Sequence, residues 1–272
     1  MSSSTPLARM ARASLSFTTL AFVTLGIGAC AKKQAAPQEQ IVQGACQSVF
    51  GSNVCAWDEM AGDSLTAFGA TVPMAMIDSA PADAPMVWPP VAAATIPLSQ
   101  AAKTATGFDN ITVYWEAHGH PPAPYMVPHF DFHFNTIPPA QIAAIDCADS
   151  TKPAQPPASY ELPDVAVPNM GTLIGLCVPH MGMHAMPNSE VQSTTPFEKA
   201  MLVGYYDAAP IFLEPMITRK TLDARHTFTL AIPTVPDAPE SAHYPTHFTA
   251  QYDSTAQAYR LTFSGFGTSS AP

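Results

Sequence analysis

Four histidines and two acids stand where metal coordination or acid–base chemistry is feasible: His120, His129, His133, His184, Asp131 and Glu214. The densest cluster is Pro128-His129-Phe130-Asp131-Phe132-His133-Phe134. Side chains of an extended strand alternate between faces. His129, Asp131 and His133 therefore share one face, and the three phenylalanines share the other. One side belongs to an apolar core and the other to a polar site. Imidazole ligates transition metals and titrates near neutral pH. A carboxylate between two imidazoles can ligate, fix a ligand's tautomer, or act as a general base.

Spacing limits how these groups combine. On a straight strand His129 and His133 stand about 13 Å apart, too far to share an ion easily, so partners must come from elsewhere. His118 and His120 flank Gly119 and would lie about 6.6 Å apart on one extended face, close enough to close around one ion. The stretch Pro179-His180-Met181-Gly182-Met183-His184-Ala185-Met186 mixes imidazole with thioether. Glu214 sits inside the apolar run Phe212-Leu213-Glu214-Pro215-Met216. If buried, such an acid must be paired, ligated or protonated.

The chemistry expected is a divalent transition-metal centre, with zinc ahead of copper. Its ligands come from His120, His129, His133 and His184, with Asp131 and Glu214 behind them or acting as acid and base. An open coordination position would suit hydrolysis of an ester, amide or small electrophile. Three rival readings stand beside it. Copper would use the thioethers of Met181 and Met183. A zinc site could form from Cys177, His180 and His184. The His–Asp–His strand could also be a polar network within a non-catalytic envelope protein that assembles or binds a partner. His226, His243 and His247 stand alone and read as surface or structural residues. No GxSxG, HExxH, GxGxxG or phosphate-loop pattern occurs.

The elements that must position these groups are β-like. The chain has 29 prolines among 272 residues, with pairs at 89–90, 121–122, 138–139 and 156–157, so long helices are excluded. Short runs rich in Val, Ile, Thr and aromatics predict strands at Ile111–Glu116, Val127–Asn135, Leu173–Val178, Ala200–Tyr206, Pro210–Leu213, His226–Ile232, Thr246–Tyr252 and Tyr259–Ser264. Two short helices are predicted, at Pro139–Ile145 and Thr218–Ala224, with loops at Ala80–Pro90 and Asp149–Pro163. The fold class expected is mainly β: one β-rich sandwich or barrel with one or two short helices.

Residues 1–29 read as an export signal: Arg9 and Arg12 precede an apolar run from Leu15 to Gly28 that is short for a membrane span. The run ends in Leu25-Gly26-Ile27-Gly28-Ala29-Cys30, which resembles a bacterial lipobox. That resemblance implies cleavage before Cys30, its lipidation, and a membrane partner reached through the acyl anchor. Ala31 after the cysteine points to the periplasmic face of the outer membrane. Residues 30–45 are expected to be lipidated Cys30 and a flexible tether, and 46–272 the β-rich domain. The net charge of −10 argues against nucleic acid as a partner. Four further cysteines in an oxidising compartment suggest two disulfides with three connectivities; local pairing, Cys46–Cys55 and Cys147–Cys177, is the one expected.

Three segments, His118–Phe134, Val178–Pro187 and Phe212–Leu222, carry HGHxP, PHFDFHF, MGxH and EPMIT motifs in that order. In this the chain is similar to a family of exported bacterial proteins of unknown function, over roughly Gly51 to Phe266. The resemblance implies a β-rich single domain and homo-oligomerisation, with a ring-like assembly, and it carries over no substrate, cofactor or catalytic residue. His118, His120, His129, Asp131, His133, His184 and Glu214 fall at motif positions, whereas His180 does not. Ala185 stands where the family usually has an aromatic residue.

Overall fold

Alternation of apolar and polar residues builds two large antiparallel sheets that share one aromatic core. A computed structural model describes residues 38–266, apart from 169, 237 and 239–242. Residues 1–29 and Cys30, read as leader and anchor, lie outside the described residues. The strands in chain order are β1 (Glu39–Val49), β2 (Ser52–Ala61), β3 (Ser64–Pro73), β4 (Ala94–Pro97), β5 (Asn110–Glu116), β6 (His129–Asn135), β7 (Tyr160–Glu161), β8 (Val165–Val167), β9 (Gly171–Leu173), β10 (Met183–Pro187), β11 (Lys199–Tyr206), β12 (Ala209–Thr218), β13 (Phe228–Ala231), β14 (His247–Asp253) and β15 (Ala258–Ser264). The first sheet has the order β1-β2-β3-β15-β14-β13, and the second β4-β5-β6-β12-β11-β10-β7. A separate hairpin joins β8 to β9. The two large sheets pack as a sandwich and do not close into a barrel.

The core lies between the sheets. Phe130, Phe132 and Phe134 of β6 join Phe68 of β3 and Phe263 of β15 in one buried cluster. Phe134 meets Phe263 edge-on with ring centroids 4.7 Å apart, a favoured geometry for aromatic pairs. The other face of the second sheet carries Asn110, Thr112, Tyr114 and Glu116 from β5, His129, Asp131 and His133 from β6, and Phe212 and Glu214 from β12. Every residue of β6 is buried, on both faces. Solvent is kept off the polar face by segments that cover it, including the 3-10 turns Ala123–Tyr125 and Ile174–Leu176.

Several expectations need correction. β1 begins at Glu39, so chain expected to be tether is already paired in the first sheet. β12 is longer than expected and runs through Pro215. Its ladder with β6 pairs Leu213 with Phe134 and Met216 with Asp131, and omits the two residues between. Proline has no N–H to give, and the omitted stretch is where that loss falls. The predicted strand Leu173–Val178 is instead a 3-10 turn, with Gly175 at φ 58°. Five short α-helices are present: α1 (Met74–Asp78), α2 (Gln100–Thr106), α3 (Pro139–Ile142), α4 (Asn188–Val191) and α5 (Arg219–Asp223). Only α3 and α5 were predicted. The longest is α2, seven residues held between a Ser99 side-chain cap and left-handed Gly107. The disulfides are Cys46–Cys55 and Cys147–Cys177. The second removes Cys177 from any metal site with His180 and His184.

Candidate metal centre

The six expected residues gather on the polar face of the second sheet as two groups of three, not as one set of four histidines. The first group is His120, His129 and Asp131, and the second His133, His184 and Glu214. In each, one atom per residue can be chosen so that all three lie within 4.8 Å of one another. The separation of His129 from His133 along β6 is why they serve different groups. Asp131 and Glu214 stand beside the histidines in the groups that could hold an ion, not behind them.

Local sequence explains each placement. His129 and Asp131 are two residues apart on β6 and point the same way. His120 arrives from the loop after β5, where Gly119 adopts φ 68°, the left-handed region that glycine enters freely. A Cβ at Gly119 would run into the Tyr125 carbonyl. That turn separates the two histidines of HGH: His118 is exposed and belongs to neither group. In the second group, β6 gives His133, β12 gives Glu214 and β10 gives His184. Gly204 of β11 pairs with both His184 and Phe212. A side chain at Gly204 would collide with the Phe212 ring, which stacks on His133 with centroids 4.2 Å apart.

Hydrogen bonds fix which nitrogen faces inward. The Nδ1 of His120, His129 and His184 lies 2.8, 2.6 and 3.0 Å from the carbonyl oxygens of Pro121, Val127 and Leu176. A carbonyl oxygen only accepts, so each Nδ1 carries the proton and each neutral ring keeps its lone pair on Nε2. This is how proteins orient metal-ligating imidazoles. The Nε2 atoms face carboxylate oxygens, and for His120, His129 and His184 it is the lone pair that does so. His129 Nε2 is 3.2 Å and His120 Nε2 3.8 Å from Asp131. His133 Nε2 is 3.3 Å and His184 Nε2 3.8 Å from Glu214. Ligands on a tetrahedral zinc with bonds of about 2.0–2.1 Å are separated by about 3.3 Å. The observed separations are close to that edge length.

These atoms are also unsatisfied. His129 Nε2, Asp131 Oδ1, His133 Nε2 and Glu214 Oε2 are buried with no hydrogen-bond partner among the described residues. Burial holds the His129 imidazole well below its usual range, with the nearby His120 adding to it. It takes His133 and His184 down to about 3. His120, whose side chain is 23% exposed, is lowered less, again chiefly by burial. Asp131 is pushed well above the carboxylate range by burial and by the charges of Glu214 and Glu116. Burial raises Glu214 in the same way. Protonating Asp131 does not complete the first group, because one carboxyl proton can serve only one of the two Nε2 lone pairs that face it. A divalent cation between the three groups satisfies all of them.

Both groups open on one cavity of about 240 Å³, lined by His120 and Asp131 from the first and His184 and Glu214 from the second. Glu116, raised to about 7 by burial and by Glu214, also lines it. The sequence reading missed Glu116, although its place on the polar face of β5 with Thr112 and Tyr114 was a usable signal. His180 is exposed, donates through Nδ1 to the Ala143 carbonyl at 2.8 Å, and joins neither group. Met183 packs in the main core and Met181 in a separate cluster with Tyr114 and Val178. A copper site made from that pair is therefore not assembled. A comparison of the chain with protein-family models, curated proteins and solved structures finds no match. The functional reading accordingly rests on geometry.

Proposed function

We propose that this chain is a metal protein with two three-ligand centres, each of two imidazoles and one carboxylate, that hold zinc. The observation that carries it is the set of buried, partnerless Nε2 and carboxylate oxygens aimed at one another. Leaving such groups unpaired costs about 1–3 kcal/mol each. Borderline and hard ligands without sulfur favour zinc over copper(I). An ion with three protein ligands keeps a position open and acts there as a Lewis acid. Facing the cavity, that position fits hydrolysis of a small substrate, with Glu116 at hand for proton transfer.

We further propose that the protein is exported and lipid-anchored at Cys30 on the periplasmic face of the outer membrane. The lipobox-like sequence supports this, as do the two disulfides, which belong to an oxidising compartment. Membership in the family sharing the HGHxP and PHFDFHF motifs, and its homo-oligomerisation, are proposals on the same footing.

The test is zinc content of the full chain after chelation and reconstitution. Two equivalents per chain are expected, falling to one in Asp131→Asn and to one in Glu214→Gln. Less than one equivalent on a folded wild-type chain, or unchanged content in both variants, overturns the reading. Lost stability without any metal would instead favour a purely structural network.

A further inference from the structure

We infer that the ligand of the two centres is a small amphiphile: a single-ring or branched-alkyl body carrying one anionic oxygen head group. This deepens the metal reading and depends on it. Residues of both groups line the one cavity, so a head group bound among them is within reach of the centres. Its polar lining side chains are Glu116, His120, Asp131, His184 and Glu214, with no lysine or arginine. With no lysine or arginine in its lining, the cavity offers an anion positive charge only through the metal ions. The head group is therefore held by the ions and not by the protein.

The walls define the rest of the molecule. Leu202, Met181, Met126, Met170 and Trp88 line the cavity together with the acids and histidines. A ligand rich in hydroxyls or phosphates would leave its polar groups unpaired against them. The volume exceeds the roughly 150 Å³ known to admit benzene and is too small for an extended chain or oligomer. Methionine walls adapt to varied apolar shapes. The entrance repeats this chemistry. Of nine exposed large apolar side chains among the described residues, five line this cavity: Met86, Val87, Trp88, Met126 and Met170. Apolar surface gathered around one opening marks a route for an apolar ligand.

The experiment is calorimetric titration of the zinc-loaded full chain with phenylacetate, using acetate as the head group alone. Phenylacetate should bind at least about tenfold more tightly than acetate, the difference coming from burial of the ring. Binding of both should disappear after chelation. In Met170→Ser, an exposed position outside both ligand groups, the preference for phenylacetate should shrink while zinc content stays at two equivalents. Equal affinity for the two acids on protein holding two zinc ions would overturn the inference and leave the metal reading intact. Phenylacetate binding that survives chelation would overturn it too, since the head group would then not need the ions. A folded chain that takes up no zinc fails at the earlier step and removes both.

Discussion

The polar face of the second sheet holds two buried clusters that differ in one respect. At one end, Asn135 Nδ2 donates to Asn110 Oδ1 at 2.9 Å and to Thr112 Oγ1 at 3.0 Å. Asn110 Nδ2 donates in turn to the Ile137 carbonyl at 3.0 Å. That cluster closes on itself, as a structural network should. Toward the other end, the histidine and carboxyl groups face one another and leave His129 Nε2, Asp131 Oδ1, His133 Nε2 and Glu214 Oε2 without a hydrogen-bond partner among the described residues. The sheet, the burial and the strand β6 are common to both. A chain that completes one polar network beside an incomplete one supports the proposal that a cation completes the second.

Removing metal should separate the two clusters most strongly. With free zinc about 100-fold above Kd, each centre adds about 2.7 kcal/mol of stability. Chelation should then lower Tm by roughly 10–20 °C for both centres together, at about 2–4 °C per kcal/mol in a domain of this size. Differential scanning calorimetry with and without chelator measures it; an unchanged Tm would make the two clusters alike. Breaking the closed network should have a smaller and different effect. Asn135→Ala strips partners from Asn110 and Thr112 and should cost about 1–3 kcal/mol in urea denaturation, while zinc content remains at two equivalents.

The two metal groups can also be set against each other. The first depends on a loop histidine, His120, held by the Gly119 turn, and the second on three strands. Gly119→Ala forces a left-handed residue against the Tyr125 carbonyl. It should weaken zinc at the first centre by about tenfold or more, equivalent to about 1.4 kcal/mol, and leave the second unchanged. Competition with a fluorescent chelator resolves the two affinities.

Protons give the most gradual effect. Because Asp131 and Glu214 are raised, they are still protonated above the ordinary carboxylate range and must lose that proton to bind zinc. Affinity should rise with pH by up to about tenfold per unit at each centre until those acids ionise. His133 and His184, near 3, bring no competing proton at pH 5 and above. In the metal-free chain these histidines act on folding instead. Between about pH 6.5 and 3 the unfolded chain binds protons that the folded one refuses, so their contribution is lost as pH falls, by up to about 1.4 kcal/mol per unit for each. The raised acids act oppositely, and their contribution is lost as pH rises above their ordinary values. Titration calorimetry from pH 5 to 8 checks the binding slope, and urea melts of stripped protein check the folding one.

The contrast between faces of β6 was legible in the sequence because strand alternation is a local rule, and β5, β11, β14 and β15 were legible from another local signal, runs rich in Val, Ile, Thr and aromatics. What depended on long-range pairing was not. Glu214 meets His133 because β12 lies beside β6 in a register that the sequence does not carry. Pro215 reads as a strand end, yet the sheet tolerates it where the ladder to β6 lapses. Leu173–Val178 is an apolar run that strand propensity claims, but Gly175 in the left-handed region turns it into the 3-10 segment whose Leu176 carbonyl orients His184. The division of one expected site into two followed from distance along β6, a consequence drawn for His129 and His133 but not for their partners.

Zinc K-edge X-ray absorption on the reconstituted full chain tests the central claim most directly, since it needs no substitution and reads the ligands themselves. Two imidazoles per zinc, with the remaining nearest atoms oxygen or nitrogen at about 2.0–2.2 Å and no sulfur, are what two His–His–carboxylate centres produce. A sulfur shell near 2.3 Å, or four imidazoles around one zinc, would contradict the account.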